Sequence, residues 1–266
     1  MAEPLKIHYG KDAVSVYRTD SNGNLFAAEL ELVIEGGDVF LPSYTEGDNS
    51  MVVATDSMKN FIHSCACDFS GGSLDDFLAY VGRCFLERYE HVEQVRLAGH
   101  ELTFERRGAV LYQRTHADRG AAWVVMSREG VVDHRSGRER LQLVKLSGSA
   151  FTGFVRDEFT TLPEAADRPL FVHLNVHWRH GDFTKRVSSE QVREEVTATF
   201  DEFVSESIQH LLHEMGTRVL ARFREIEQIE LDGQNRLWDT ARTHDGVAVY
   251  TDARPPFGVI HLTLAR

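Results

Sequence analysis

Residues 14–34, VSVYRTDSNGNLFAAELELVI, carry the pattern that decides the fold. Val14 and Val16 alternate with polar neighbours, and residues 21–24, Ser-Asn-Gly-Asn, are typical of a turn. Beyond the turn, apolar side chains return at every second position, which is the period of a strand with one buried face. The stretch therefore predicts a β-hairpin whose second strand buries Phe26, Ala28, Leu30, Leu32 and Ile34.

Two helices are predicted after this hairpin, one following Asp56 and one following Ser73. Ser73 and Asp76 have the spacing of a helix-capping pair, and apolar residues then recur every three or four positions. Strand-like stretches at 95–104 and 121–126 complete an order of two strands, two helices and two strands.

The second half of the chain repeats this order. Strand-like stretches at 141–146 and 169–178 precede two helices, the first of which begins at the capping-box pair Ser188 and Gln191. Two further strands are predicted, at 226–231 and at the alternating residues Ile260, Leu262 and Leu264. The sequence thus predicts an α+β protein with a period of about half its length.

The net charge limits the possible partners. Against 29 Lys and Arg residues stand 41 Asp and Glu residues, a formal charge of −12, which would repel a phosphate backbone. No apolar run reaches the ~20 residues of a membrane helix, and the first residues lack the apolar core of a signal peptide. We therefore expect a cytoplasmic protein that binds neither nucleic acid nor membrane, and three cysteines fit a reducing compartment.

Two clusters suggest a metal site, and neither is complete. His63, Cys65 and Cys67 lack a fourth ligand and a CxxC spacing. His173 and His177 belong to a stretch that alternates with apolar residues, so on a strand they would stand ~13 Å apart, too far to share one ion. We expect no metal, and the histidine stretch is interpreted as the polar face of a strand.

Five short segments lie in one order along the chain: residues 9–12, YGKD; residues 44–60, YTEGDNSMVVATDSMKN; residues 147–168, SGSAFTGFVRDEFTTLPEAADR; Ser207-Ile208-Gln209; and Gln234-Asn235. In order and spacing they resemble the signature stretches of the urate oxidase (uricase) family. The resemblance covers nearly the whole chain.

This resemblance implies a tandem of two tunnelling-fold (T-fold) units, residues 1–134 and 135–266, each an antiparallel sheet carrying two helices. Four chains would form a homotetrameric barrel with a central tunnel. The active sites would lie at subunit interfaces. One subunit would contribute Lys11, Thr55 and Asp56, which would face the neighbour's Phe151, Arg168, Ile208 and Gln209.

The family's substrate-binding positions suit a flat, oxygen-rich purine. Phe151 offers a ring on which the bicycle can stack, and Leu162 and Ile208 would form an apolar rim. The guanidinium of Arg168 can donate two hydrogen bonds to a ring nitrogen and the adjacent carbonyl, and Gln209 supplies one donor and one acceptor.

The family's chemistry is implied for Lys11 and Thr55, which would act as a relay that withdraws a proton from urate. The resulting dianion can pass an electron to oxygen, so that no cofactor is needed beside O2 as co-substrate. Asn235 with Thr55 would hold the oxygen. Taken singly, Lys11 is more typical of a solvated turn, Thr55 of a helix cap, and Phe151 or Leu162 of a core. Only their joint occurrence, in the family's order and spacing, favours the site.

The chain departs from the family two residues after Asn235, where members carry a histidine and this sequence has Leu237. Leucine neither donates nor accepts a proton, so the relay lacks its third member. Three hypotheses remain: a divergent urate oxidase, a uricase-like oxidase of another heteroaromatic with a different product, and a non-catalytic purine-binding tetramer.

Overall fold

The computed structural model describes residues 6–266, and the chain divides into two compact units, residues 1–136 and 137–266. Unit 1 contains β1 (Ile7–Thr19), β2 (Leu25–Gly36), a 3₁₀ turn (Asp38–Phe40), α1 (Leu41–Thr45), α2 (Thr55–Asp68), α3 (Leu74–Arg88), β3 (Gln94–Glu101), β4 (Phe104–Arg106), β5 (Tyr112–Arg114) and β6 (Arg119–Ser127). Strand β7 (Gly130–Lys145) begins in unit 1 and ends in unit 2. Unit 2 continues with β8 (Leu170–His180), α4 (Ser189–Glu202), α5 (Ile208–Arg222), β9 (Ile226–Asn235), β10 (Asp239–His244), β11 (Val247–Thr251) and β12 (Gly258–Ala265).

The predicted hairpin of unit 1 is confirmed. β1 pairs antiparallel with β2, so that Val14 lies opposite Leu30 and Val16 opposite Ala28. The pairing continues through β3 to β6, again antiparallel. Of the five apolar residues predicted to be buried on β2, four are 1% exposed or less, and Phe26 is only half-buried.

The two predicted helices of unit 1 are also confirmed. Ser73 caps α3 by accepting the backbone N–H of Asp76 at 3.1 Å, as its spacing predicted. The apolar face of α3 packs on β3 and β6 so closely that a Cβ added at Gly82 would lie 2.7 Å from Met126 Sδ and 2.9 Å from Leu97 Cδ1. The predicted spacing thus produces a helix seated on an antiparallel sheet.

Unit 2 has the same arrangement. β8, β9 and β12 pair antiparallel, and α5 packs on β9 and β12. Ser188 and Gln191 form the predicted capping box at the start of α4. Buried and half-buried residues alternate along all of β8, which confirms that His173 and His177 lie on its polar face. The α+β class with antiparallel sheets and paired helices is therefore confirmed.

Three features differ from the sequence-based expectation. β7 starts eleven residues before the predicted Leu141, and it ends before Leu146, which is 71% exposed. The hairpins β4–β5 and β10–β11 are short and largely exposed, so they carry no apolar alternation that would reveal them.

Within residues 6–266, no helix is both long enough and apolar enough to cross a membrane.

Candidate functional site

Lys11 lies at a break in strand β1. Lys11 pairs with Leu32 and the next pair is Val14 with Leu30, so β1 carries one extra residue, and Ala13 adopts a φ of +56°. Such a bulge redirects the neighbouring side chains. On the other side of Lys11, a Cβ added at Gly10 would lie 2.1 Å from the carbonyl oxygen of Leu32, so only glycine fits this close approach.

Thr55 is the first residue of α2. The N-cap is Ala54, and no side chain caps the helix, so the Thr55 hydroxyl does not have the capping role that is its common alternative. Among residues 6–266, neither the Thr55 hydroxyl nor the Lys11 ammonium has a hydrogen-bond partner. Unit 1 therefore contains both members of the predicted relay, but they are not hydrogen-bonded to each other.

Asp56 follows Thr55, and its carboxylate is held by its own helix. Lys59 Nζ donates to it at 2.6 Å and Asn60 Nδ2 at 3.1 Å. The hydrogen bond and charge of Lys59 lower the pKa of Asp56, and Lys11 also lies close enough to lower this pKa. The first turn of α2 thus presents a charged group beside the Lys11 ammonium.

In unit 2, the loop between β7 and β8 brings Phe151 and Arg168 together. Phe151 and Ala165 exchange two backbone hydrogen bonds of 2.8 and 3.0 Å, and the N–H of Arg168 donates to the carbonyl of Ser149 at 2.9 Å. These bonds place the guanidinium carbon of Arg168 5.4 Å from the ring centre of Phe151. The ring of Phe154 stacks on Phe151 at 4.8 Å, which leaves a ligand one face of Phe151 at most.

Arg168 and Asn235 each bury a polar atom without a partner. Arg168 Nε and Asn235 Oδ1 are inaccessible to solvent and make no hydrogen bond with residues 6–266. Burial lowers the pKa of Arg168, yet arginine keeps its charge in proteins. Because an unsatisfied buried group costs ~1–3 kcal/mol, these two atoms are candidate contacts for a ligand.

Ile208 and Gln209 form the first turn of α5, which is joined to the Phe151 loop. Ser205 donates its N–H to Gly148 and accepts one from Ala150, at 3.1 and 2.8 Å. Ile208 is buried, whereas Gln209 is exposed. The predicted role of the Gln209 amide in substrate binding stays a prediction.

Ile208 also lies close to the strand that carries Asn235. A Cβ added at Gly233 of β9 would be 3.7 Å from Ile208 Cδ1, and Gly233 is two residues before Asn235. Unit 2 thus links Phe151, Arg168, Ile208 and Asn235 through one framework of backbone hydrogen bonds and packing.

Asp167 is part of this framework and was not predicted from the sequence. Its Oδ1 accepts the N–H groups of Gly148 and Ser149 at 2.7 and 3.2 Å. Gly148 has a φ of +77°, a conformation that glycine adopts without strain. Asp167 is nineteen residues from Gly148 along the chain, so no local sequence pattern predicts this contact. The sequence draws attention to Asp167 only because it precedes Arg168.

Leu162 lies on the exposed part of the same loop. It is 40% exposed, and its carbonyl accepts a weak hydrogen bond from Arg156 Nη1 at 3.5 Å. Its predicted contribution to an apolar rim stays a prediction.

Leu237 lies beyond the end of β9 and is half-buried. The residues on either side of Leu237 are held by a backbone hydrogen bond and by ring contacts. Arg236 donates its N–H to Phe171 at 2.8 Å and lies 3.5 Å over the ring of Phe257, and Trp238 contacts Phe171 and Tyr250. The backbone around Leu237 is therefore well anchored.

His173 does not lie where it could act beside Asn235. Val172 of β8 lies opposite Asn235, and His173 lies opposite Gln234. Since successive side chains of a strand point to opposite faces, His173 and Asn235 lie on different faces of the sheet. Burial, and then the charge of Arg236, lower the pKa of His173.

No set of three or more His, Cys, Asp or Glu side chains in residues 6–266 is arranged to hold a metal ion. In the His63 cluster, Cys65 is buried and Cys67 is exposed, while His63 Nε2 lies 3.1 Å from the carbonyl of Ser15.

A family model described as Uricase matches residues 7–121 and 134–261. The "Uric acid degradation bifunctional protein PucL" of Bacillus subtilis is 39% identical over an alignment of 256 residues, and the alignment covers 87% of this chain and 52% of the relative. A second bifunctional protein, from Bacillus sp. (strain TB-90), is covered to 59%, so the chain spans little more than half of these two relatives. The "Uricase" of Haloferax volcanii is 35% identical, with 89% of this chain and 90% of the relative aligned.

Solved structures show the same likeness. Urate oxidase from Bacillus sp. TB-90 superposes with a TM-score of 0.91 at 34% identity, covering 98% of this chain and 100% of that chain. Uricase from Arthrobacter globiformis gives a TM-score of 0.89 at 26% identity, covering 100% and 96%.

Proposed function

This chain belongs to the uricase family, and we propose that it oxidises urate with molecular oxygen to 5-hydroxyisourate and hydrogen peroxide. The observation that carries the proposal is the unpaired, buried Nε of Arg168 beside the ring of Phe151. A permanent cation with a free donor next to an aromatic face suits a planar anion that accepts hydrogen bonds. Urate has this shape and charge.

Recognition is assigned to unit 2. Urate would stack on Phe151 and accept hydrogen bonds from Arg168, while the exposed amide of Gln209 would complete the contacts along its edge. Ile208 and Leu162 would form the apolar rim. The unpaired Asn235 Oδ1 would accept a hydrogen bond from the substrate or from a water beside it.

Chemistry is assigned to unit 1. The Lys11–Thr55 relay would take a proton from urate, and the electron-rich dianion would reduce O2 directly. Overall, urate, O2 and one water give 5-hydroxyisourate and H2O2, which balances without a metal or an organic cofactor. Asp56, held by Lys59 and Asn60, would lie at the edge of the substrate.

For the assembly, we propose two T-fold units, 1–134 and 135–266, in a homotetrameric barrel located in the cytoplasm. Lys11, Thr55 and Asp56 of one subunit would meet the unit 2 residues of another. Among residues 6–266, the Lys11 ammonium and the Thr55 hydroxyl of unit 1 have no hydrogen-bond partner, and neither have Arg168 Nε and Asn235 Oδ1 of unit 2. These groups support the arrangement because a substrate shared between two subunits could contact all of them.

Leu237 favours one alternative, a uricase-like oxidase whose substrate is another heteroaromatic. Without the family's histidine, water would reach the oxidised ring by a different route, and the product would differ. The recognition residues are unchanged in this alternative, so binding alone does not distinguish it from urate oxidation.

The test is to mix purified protein with urate in air-saturated buffer and to follow both the ultraviolet band of urate and hydrogen peroxide. We expect the band to disappear with one peroxide formed per urate. Lys11→Ala should abolish turnover, whereas Lys6→Ala, which removes an exposed lysine with a 3.9 Å ion pair to Glu35, should not. Binding without loss of the band would overturn the proposal in favour of the alternative substrate or of a purine-binding protein.

A further inference from the structure

The segment of residues 48–54 leads from α1 into Thr55, and it has few internal ties. Within it, Ser50 donates its N–H to Asp48 Oδ1 at 2.9 Å and Val52 donates to the carbonyl of Asn49 at 3.0 Å. Neither bond fixes the segment relative to strand β1, which carries Lys11. The segment must therefore be fixed by contacts from elsewhere, whereas Thr55 itself also belongs to α2, which packs on β1.

Two aromatic residues supply these contacts. The N–H of Val53 donates to the hydroxyl oxygen of Tyr9 at 2.9 Å, and Nε2 of His91 lies 2.9 Å from the carbonyl oxygen of Met51. Because a carbonyl can only accept, Nε2 of His91 must carry the proton. The segment thus donates one hydrogen bond, from the N–H of Val53, and accepts the other at the carbonyl of Met51.

A buried ring joins the two. Phe40 is 1% exposed, and its ring centre lies 5.5 Å from that of Tyr9, edge to face, and 5.8 Å from that of His91. Such ring pairs have preferred geometries, so Phe40 fixes the orientation of both partners. Burial raises the pKa of Tyr9, so its hydroxyl stays neutral at physiological pH.

The positions of these bonds along the chain connect the two relay residues. Tyr9 is two residues before Lys11 on β1, and the pairs Tyr9–Ile34 and Lys11–Leu32 show that the strand is regular between them. Their side chains therefore point to the same face. Val53 is two residues before Thr55, so this hydrogen bond ties the strand of Lys11 to the segment that leads into Thr55, in addition to the packing of α2 on β1.

We propose that Tyr9, Phe40 and His91 form an aromatic clamp that sets the position of Thr55 relative to Lys11. The proposal rests on the function proposed above and names positioning residues that act through Thr55. It predicts that loosening the clamp slows proton transfer while leaving substrate recognition, which is assigned to unit 2, nearly unchanged.

Four variants test the clamp. Tyr9→Phe removes the acceptor for Val53 and keeps the ring, and His91→Phe removes the donor to Met51. His91→Gln keeps a donor near the position of Nε2. Tyr112→Phe is the matched control, since the Tyr112 hydroxyl donates to Gly23 at 2.7 Å elsewhere in unit 1.

We expect Tyr9→Phe and His91→Phe to lower kcat for urate by roughly tenfold while KM stays within about twofold, because misplacing a reacting group is costly. His91→Gln should recover most of the lost kcat, and Tyr112→Phe should match the wild type. Equal losses in Tyr112→Phe, or changes confined to KM, would overturn the clamp.

The rate of amide hydrogen exchange in residues 48–58 tests the clamp independently of enzyme turnover. Exchange at Val53 should accelerate in Tyr9→Phe and remain slow in Tyr112→Phe. Unchanged exchange in Tyr9→Phe would overturn the clamp even in an active enzyme. A wild-type protein that leaves urate unoxidised would instead overturn the proposed function, so the two failures are separable.

Discussion

The guanidinium carbon of Arg168 lies 5.4 Å from the ring centre of Phe151, and Arg168 Nε is buried without a hydrogen-bond partner among residues 6–266. Replacing Arg168 by Ala should weaken urate binding by about 1.5–3 kcal/mol, the range for a charge-assisted hydrogen bond. Calorimetric titration with urate or 8-azaxanthine measures this loss. Arg186→Ala is the control, because Arg186 lies 4.5 Å over Phe183 in the same unit, outside the proposed site. Equal affinity of the Arg168→Ala protein and the wild type would remove Arg168 from the site.

Asp167 should affect recognition without touching the substrate. Asp167→Ala removes the acceptor of two backbone N–H groups and frees the loop that carries Phe151 and Arg168. Since bonds to a charged acceptor contribute ~1.5–3 kcal/mol, less where exposed, we expect KM for urate to rise roughly fivefold to tenfold. Steady-state kinetics checks this. Asp167→Asn keeps an acceptor oxygen and should lie between Ala and wild type, and an Asn variant as poor as Ala would argue against the loop-holding role.

We propose that Leu237 stands where uricases carry a proton-relaying histidine. Leu237→His should raise urate turnover by roughly tenfold or more with a smaller change in affinity, because the ~6.5 pKa of histidine suits transfer near neutral pH. The rate is measured at saturating urate in air, following urate and peroxide together. Leu237→Asn is the control, since its amide is polar and does not relay protons in the same way. Unchanged turnover in Leu237→His, with binding intact, would favour the alternative substrate.

The exposed pair of His261 and Asp232 gives a prediction about pH. Asp232 Oδ1 lies 2.7 Å from His261 Nδ1, and this hydrogen bond, followed by the negative charge, raises the pKa of His261 above 6.5. A raised folded-state pKa stabilises the protein fully below the unfolded value, and this contribution is lost as the pH rises through the folded value. Titration of the imidazole by NMR should show the raised pKa, and Asp232→Asn should return it towards 6.5. A pKa that does not move in Asp232→Asn would contradict the pairing.

The elements that could be predicted from the sequence are those whose interactions are local. Ser188 and Gln191 satisfy each other three residues apart, and the strands of the first hairpin alternate around a short turn, so both patterns are visible in the sequence. The first residue of β7 could not be predicted from such a local pattern. Its first half is polar, and Ser136 is buried there because its hydroxyl donates to Asp75, sixty-one residues away.

In the candidate site, too, some residues could be predicted from the sequence and others could not. Lys11, Phe151 and Arg168 were identified because they lie in segments that resemble a family. Asp167, Ser205 and the aromatic clamp of Tyr9, Phe40 and His91 were missed, since their roles depend on partners 18 to 57 residues distant or on backbone groups. Contacts of this kind leave no periodicity, and only the folded chain reveals them.

The most direct test of the account combines two impaired chains, one with weakened chemistry and one with weakened binding, at a urate concentration too low to saturate the Arg168→Ala site. Lys11→Ala and Arg168→Ala subunits are co-expressed, and urate oxidation by the mixed oligomer is compared with each variant alone. If every site joins unit 1 of one subunit to unit 2 of another, random mixing leaves one site in four intact, and about a quarter of wild-type activity should return. If the wild type is active and the mixture is no more active than either variant alone, the shared site is contradicted.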